Sequence, residues 1–262
     1  MHDELFSVRD QVVLVSGGTR GIGRAIAAGF ARRGASVFVT GREHDPTHRA
    51  AEELREETRG SVTGVACDVS KANLIRPLVE EIVQTAGRID TLVNVAGVNR
   101  RKPTEQVTED DYDFVVDTNL KGAFLLSQAV GRHMLERRAG SQIQIASLNS
   151  DRPLKNVAPY AMSKAGLATL TRALALEWSD RGVRVNALAP GFILTDLTRK
   201  LWSDPQMLEW GQANTPMRRL GVPEDMVGTA IFLASAASQF MTGQVLYVDG
   251  GFTAGWAWPI PE

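Results

Sequence analysis

Tyr160 and Lys164 stand four residues apart in Tyr160-Ala161-Met162-Ser163-Lys164. On a helix that spacing puts a phenol and an ammonium on one face, one turn apart. A neighbouring ammonium favours phenolate and lowers the tyrosine pKa from its ordinary value of roughly 10. A phenol tuned in this way can give or take a proton near neutral pH. Ser147, thirteen residues upstream, offers a hydroxyl that could orient a carbonyl or an alcohol against it. A lone Tyr-x-x-x-Lys pair also occurs on solvated helix faces, so its meaning depends on the elements that position it.

A second group of residues could hold a phosphate. Val12-Val13-Leu14-Val15 is an apolar run suited to a strand buried on both faces. It leads into Ser16-Gly17-Gly18-Thr19-Arg20-Gly21-Ile22-Gly23, after which Ala25, Ile26, Ala27, Phe30 and Ala31 repeat with helical spacing. Strand, glycine turn and helix form the context a dinucleotide fingerprint requires. Glycines admit the pyrophosphate to the backbone, and the helix N-terminus offers free N–H groups and a positive dipole end. The next strand, at 36–40, ends in Gly41-Arg42. NAD binders carry an acidic residue near this place for the ribose 2′-hydroxyl. Here no carboxylate repels a 2′-phosphate, and Arg20 and Arg42 could grip one through charge-assisted bonds. NADP(H) is therefore expected ahead of NAD(H), which stays open because Glu43 and Asp45 lie close by.

The apolar periodicities predict strands at 12–16, 36–40, 62–66, 90–94, 142–147, 183–188 and 244–248. Helices are expected near 21–33, 47–59, 71–86, 108–137, 158–180 and 223–236. This alternation predicts one α/β domain over 1–262, a doubly wound Rossmann-type unit whose seven-stranded, mainly parallel sheet carries helices on both faces. Ligands of such sheets bind beyond the carboxyl ends of the strands, where the glycine turn, Asn94, Ser147 and Pro190 all fall.

With these features together, the chain resembles the short-chain dehydrogenase/reductase family over nearly its whole length, including members that reduce 3-oxoacyl carrier-protein substrates and members that act on gluconate. Cys67-Asp68-Val69, Asn94-Val95-Ala96-Gly97, Asn119, Pro190-Gly191 and Val248-Asp249-Gly250-Gly251 match family stretches in order, with Val95 replacing the usual second asparagine. The resemblance implies a catalytic set of Asn119, Ser147, Tyr160 and Lys164. Tyr160 would act as the acid or base, Ser147 would hold the reacting oxygen, and Lys164 would bind the nicotinamide ribose. Asn119 would anchor a relay water. It further implies cofactor contacts from Gly17, Thr19, Arg20, Gly21, Ile22, Gly23, Arg42, Asp68, Val69, Asn94, Ala96, Gly97, Pro190, Gly191, Ile193 and Thr195. Hydride transfer between a secondary alcohol and a ketone follows as the expected reaction.

Composition agrees with an enzyme of small molecules. The chain has 262 residues, 44% of them apolar, and a net charge of −1, so nothing marks it for nucleic acid. The one cysteine, Cys67, reads as a small core residue. The four histidines lie beside no serine or cysteine at a strand end, and no spacing suggests a metal site. An acidic start without an apolar signal core, and no run near ~20 apolar residues, predict a cytoplasmic protein without membrane contact.

Substrate identity rests on loops. Residues 192–215 occupy the position of a mobile lid in the family, and Trp202 and Trp210 there could line the pocket or pack helices. Asn149 and Arg152 follow Ser147, and Asn99-Arg100-Arg101-Lys102 follows Gly97. Ser147, Asn149, Arg152, Tyr160 and Trp202 are thus candidate substrate contacts. Basic residues on this edge suggest a sugar acid or another polar, anionic oxo compound. Two alternatives stand beside it. One is a 3-oxoacyl-carrier-protein reductase docking its carrier on Arg138 and Arg181. The other is an inactive cofactor-binding sensor. Apolar positions Phe124, Leu125, Ala129 and Met134 on one helix, and Leu167, Leu170, Leu174 and Trp178 on another, suggest a homotetramer or homodimer built on that pair. The tail at 252–262, with Trp256, Trp258, Pro259 and Pro261, is expected to pack on a neighbouring subunit.

Overall fold

The computed structural model describes residues 4–255; the tryptophans and prolines of the tail, and the packing expected of them, lie outside the described residues. Seven strands are present: β1 (Val12–Ser16), β2 (Ser36–Gly41), β3 (Ser61–Ala66), β4 (Thr91–Asn94), β5 (Gly140–Ile145), β6 (Val183–Pro190) and β7 (Val245–Val248). The helices are α1 (Gly21–Ala31), α2 (His44–Thr58), α3 (Ala72–Ala86), α4 (Glu109–Val116), α5 (Ala123–Arg137), α6 (Ala158–Trp178), α7 (Arg199–Trp202), α8 (Pro205–Asn214) and α9 (Val227–Ala234). The sheet order is β3-β2-β1-β4-β5-β6-β7, and every pair is parallel.

Alternation within β1 shows how the layers form. Val13 and Val15 face a core shared with α1, α2 and α9, including Ile26, Phe30, Leu54 and Ile231. Val12 and Leu14 face the opposite core against α3, α5 and α6, including Ile75, Leu126 and Trp178. A strand covered on both faces must be apolar at every position, which is why β1 reads as a continuous run. β1 and β4 are neighbours in the sheet, with Ser16 beside Asn94. From β1 the chain winds one way, through β2 and β3, and from β4 it winds the other way, through β5 to β7. The loops leaving these two carboxyl ends diverge and open a crevice between them.

Several expected boundaries shift, and each shift has a local cause. The single helix expected over 108–137 is two. Thr108 and Asp111 form a reciprocal capping box at the start of α4. A π-helical turn at Asp117–Gly122 then separates α4 from α5 and carries the buried Asn119. β5 stops at Ile145, because Ser147 leaves the strand and its hydroxyl caps a short 3-10 turn by accepting the Asn149 N–H. Residues 192–215 hold α7 and α8. The latter starts where Pro205 follows Asp204, whose carboxylate accepts the N–H groups of Gln206 and Met207.

The helix faces expected to build an assembly are only partly free. Met134, Leu167, Leu174 and Trp178 are buried within the protomer. Phe124, Met162 and Leu176 remain exposed on α5 and α6, Leu176 at 87%. Phe240 and Tyr247 are exposed beside and on β7. Among the described residues no helix is long and apolar enough to cross a membrane.

Candidate active site

A cleft of about 500 Å³ opens at the carboxyl ends of β1, β2, β4, β5 and β6. One end is built by the glycine turn. Gly17 has a φ of +68°, and a β-carbon there would stand 2.8 Å from the Ala96 α-carbon, so the turn and the end of β4 approach as only glycine and a small neighbour allow. Gly23 packs the first turn of α1 against the Gly17 carbonyl, 2.2 Å from where its own β-carbon would lie. The first N–H groups of α1 can thus face an anion. Arg20, Arg42 and Lys71 border this end, and none of them makes an ion pair among the described residues. Thr40 also borders it, and its buried hydroxyl has no hydrogen-bond partner. Unpaired cations beside a glycine cradle and an orphan hydroxyl fit a phosphorylated ribose.

The other end gathers Ser147, Tyr160 and Lys164. Lys164 is 4% exposed, its Nζ donates to the Ile145 carbonyl at 2.6 Å, and it lies 5.7 Å from the centre of the Tyr160 ring. Burial brings its pKa down to about 8. Ser147 Oγ accepts from both the backbone and the side-chain nitrogens of Asn149, at 3.1 and 3.3 Å. Its own proton is left to donate into the cleft. The expected lowering of the Tyr160 pKa is not what the geometry gives. Burial raises it above 10, and a hydrogen bond from Ser147 and the charge of Arg101 pull the other way. Desolvation of the phenolate is the largest of these influences, and it wins. In the free protein Tyr160 is therefore a phenol, ready to donate a proton.

Most of the expected residues meet in this cleft, namely Gly17, Thr19, Arg20, Gly21, Ile22, Gly23, Arg42, Asp68, Val69, Ala96, Gly97, Pro190, Gly191, Ile193 and Thr195 with the three just described. Five do not. Asn94 is buried below it, where Nδ2 donates to the Ala123 carbonyl, Ser127 Oγ and Gln144 Oε1, and Oδ1 accepts from Ser16. It ties β1, β4, β5 and α5 together. Asn119 is fully buried, and its side chain is engaged by both polar backbone atoms of Val98 and by Ser163. Asn149 orients Ser147 and accepts from the Leu154 N–H. Arg152 is an exposed partner of Asp151. Trp202 is buried edge-on against Phe192, which also meets Trp210 and Phe252. Trp202 is a packing residue, whereas Trp210 keeps its ring against Phe192 but is exposed.

The sequence reading missed one wall. Phe114, Asp117 and Thr118 reach the cleft from the end of α4 and the π-helical turn; Asp196, Leu197 and Thr198 reach it from the segment before α7, inside the lid expected at 192–215. The 114, 117, 118 spacing marks one helix face and was the available signal. Cys67 also borders the cleft, but burial pushes its thiol up to about 11, which keeps it protonated and unreactive. Among the described residues no cluster of histidine, cysteine or carboxylate could hold a metal.

Comparison with known proteins adds to this geometry. A family model described as enoyl-(acyl carrier protein) reductase matches residues 17–253. Gluconate 5-dehydrogenase of Gluconobacter oxydans is 38% identical over 252 residues, 96% of this chain and 98% of its own. A 3-oxoacyl-[acyl-carrier-protein] reductase of Chlamydia muridarum is 38% identical over 242 residues, 92% of this chain and 97% of its own. The crystal structure of a gluconate 5-dehydrogenase from Burkholderia cenocepacia J2315 in complex with NADP and tartrate superposes with a TM-score of 0.93 at 36% identity, over 97% of this chain and 99% of that one. Relatives that align from end to end, on the same wound sheet, establish that the chain belongs to the short-chain dehydrogenase/reductase family of oxidoreductases acting on CH–OH groups.

Proposed function

We propose that this protein interconverts a secondary hydroxyl of a sugar acid and the corresponding ketone with NADP(H). The carrying observation is that one cleft joins the glycine turn and its unpaired Arg20 and Arg42 to Ser147, Tyr160 and Lys164. The glycine turn would hold the pyrophosphate, Arg20 and Arg42 the 2′-phosphate, and Lys164 the nicotinamide ribose. When bound, the nicotinamide supplies or accepts the hydride. The residues of the chain manage the proton. Ser147, whose O–H is directed at Tyr160 in the free protein, would turn that proton to the reacting oxygen and hold the oxygen against Tyr160. In reduction Tyr160 gives its proton to that oxygen, and in oxidation it accepts one as phenolate, which Ser147 and Arg101 stabilise. The substrate carboxylate is assigned to the basic segment Arg100-Arg101-Lys102, which directly follows the cleft residues Gly97 and Val98. The relatives named for gluconate, one of them bound to NADP and the hydroxy acid tartrate, support this choice.

The carrier-protein alternative keeps the support of the Chlamydia relative. Its docking arginines do not favour it, because Arg138 and Arg181 precede β5 and β6, at the strand ends opposite the cleft within the protomer. We further infer a homotetramer or homodimer, on the exposed Phe124, Met162, Leu176, Phe240 and Tyr247, in the cytoplasm, where freely exchanging dinucleotide is available. Residues 192–215, which border the cleft at Ile193–Thr198, are assigned as the substrate lid.

The test is a substrate panel with NADP⁺ or NADPH: D-gluconate and its oxo forms, acetoacetyl thioesters and simple ketones. Turnover of the sugar acids is expected, with Tyr160→Phe slower by about 10²–10⁴-fold at unchanged cofactor affinity. Preference for the thioester would replace the assignment by the carrier-protein reading. Absence of turnover on every carbonyl would point to a sensor.

A further inference from the structure

The short 3-10 turn after β5 connects two parts of the site. Ser147 caps its start, and Ser150 Oγ donates to the Lys164 carbonyl at 2.8 Å. The turn is thereby tied to α6, the helix that carries Tyr160 and Lys164. Asn149 lies between the two serines and is 8% exposed. Its backbone N–H and its Nδ2 both donate to Ser147 Oγ, at 3.1 and 3.3 Å, and its Oδ1 accepts the Leu154 N–H at 3.0 Å. The last bond fixes the orientation of the amide. A backbone N–H only donates, so the amide oxygen must face Leu154 and the nitrogen must face Ser147. Leu154 in turn packs on the apolar cluster of Leu148, Phe192 and Trp202.

A serine hydroxyl has two lone pairs and one proton. Asn149 engages both lone pairs, so a proton is what Ser147 has left for the cleft, which it lines together with Tyr160. An oxygen that meets Ser147 must therefore accept. A ketone oxygen or an alkoxide accepts readily. An alcohol does so only by turning its own proton elsewhere, and Tyr160 is the group that takes it. Donors in a row polarise one another, so the amide also strengthens Ser147 as a donor to developing negative charge.

We propose that Asn149 is a positioning residue for proton transfer: by filling both acceptor sites of Ser147, it fixes that hydroxyl as a donor and directs the alcohol proton to Tyr160. This rests on the role given to Ser147 in the proposed reaction. The test is the steady-state reduction of 5-keto-D-gluconate by NADPH from acid to alkaline pH. If the wild type reduces only a simple ketone, the sugar-acid reading falls and the same test runs on that ketone; a wild type that reduces neither overturns both. Asn149→Ala should lower kcat about tenfold with KM within about twofold, since the backbone donor remains. Asn149→Asp keeps the size and the acceptor for Leu154, but its second carboxylate oxygen takes the Ser147 proton for itself. Its kcat should fall about 10²-fold, the worth of one oxyanion donor. Protonation returns an O–H that donates to Ser147 as the amide did. The Asp variant should therefore exceed the Ala variant at acid pH and drop below it as pH rises through the carboxyl pKa, a crossing that a merely structural role does not produce. In a Ser147→Ala background neither substitution should lower kcat further, since a residue acting through another shows full coupling. Should Asn149→Asp not fold, Asn149→Ala decides alone, by lowering kcat in the wild type and not in Ser147→Ala. If Ser147→Ala leaves kcat unchanged, the role of Ser147 falls and the positioning role with it. If Ser147→Ala lowers kcat but Asn149→Ala does not, if the ratio of the two variants is independent of pH, or if either still lowers kcat without the serine, the positioning role alone is overturned.

Discussion

Lys164 sets function against stability, and Lys164→Met measures the conflict. The ammonium is buried, and its pKa falls from 10.5 to about 8 for that reason alone. That fall corresponds to about 3 kcal/mol of cost for holding the charged form in the folded state at pH 7. Methionine fills a similar volume without a charge. The variant also loses the hydrogen bond to the Ile145 carbonyl, 2.6 Å long, worth about 1–2 kcal/mol. The net expectation is a folded state more stable by roughly 1–2 kcal/mol at pH 7, or a Tm higher by about 2–8 °C. The sign must reverse with pH. Between about 8 and 10.5 the unfolded chain holds a proton that the folded chain has released, so wild-type stability rises across that window. Near pH 10.5 the wild-type lysine is neutral in the fold, and only its hydrogen bond distinguishes the two proteins. The variant should then be the weaker one. Urea unfolding at pH 7 and pH 10.5, at equal protomer concentration so that assembly does not enter, reads the difference. Activity should be absent from the more stable protein. A variant weaker by the same margin at both pH values would show that the ammonium is not desolvated and would refute the reasoning.

Arg20→Ala and Arg42→Ala should each weaken NADP(H) binding about tenfold, the worth of one charge-assisted bond, and leave NAD(H) unaffected. Equal losses for both dinucleotides, measured by fluorescence titration, would remove these arginines from the 2′-phosphate. Asn94→Ala should destabilise the fold by roughly 2–4 kcal/mol, because Ser127, Gln144 and Ser16 lose a buried partner, while cofactor affinity stays within about threefold. Unchanged stability with lost affinity would mean that Asn94 touches ligand after all.

The legible parts of this protein were those with local causes. A strand covered on both faces must be apolar throughout, and a helix must repeat its apolar face. The run at Val12–Val15 and the pattern after Gly21 therefore declared β1 and α1, and the alternation that followed implied the wound sheet. Gly17 was legible because its backbone leaves no room for a side chain. Less of the site could be read, because a residue type does not say where its hydrogen bonds go. Asn94, Asn119 and Asn149 all looked like contacts, yet each spends its amide on neighbours distant in sequence or on the loop it steadies. Trp202 looked equally suited to a pocket wall and to a core, and only the position of Phe192 decided for the core.

By itself, the order of residues determined which groups are present and which strand ends carry them, since both follow from short-range periodicity and turn chemistry. Only the tertiary structure decided how those groups are solvated. It placed the Lys164 ammonium on the Ile145 carbonyl, raised the Tyr160 phenol where a lowered one was expected, and gave Arg100 and Lys102 to the one carboxylate of Asp111. The physical reason is that a proton affinity depends on every dipole and charge within a few ångströms, and residues far apart in the chain supply most of them.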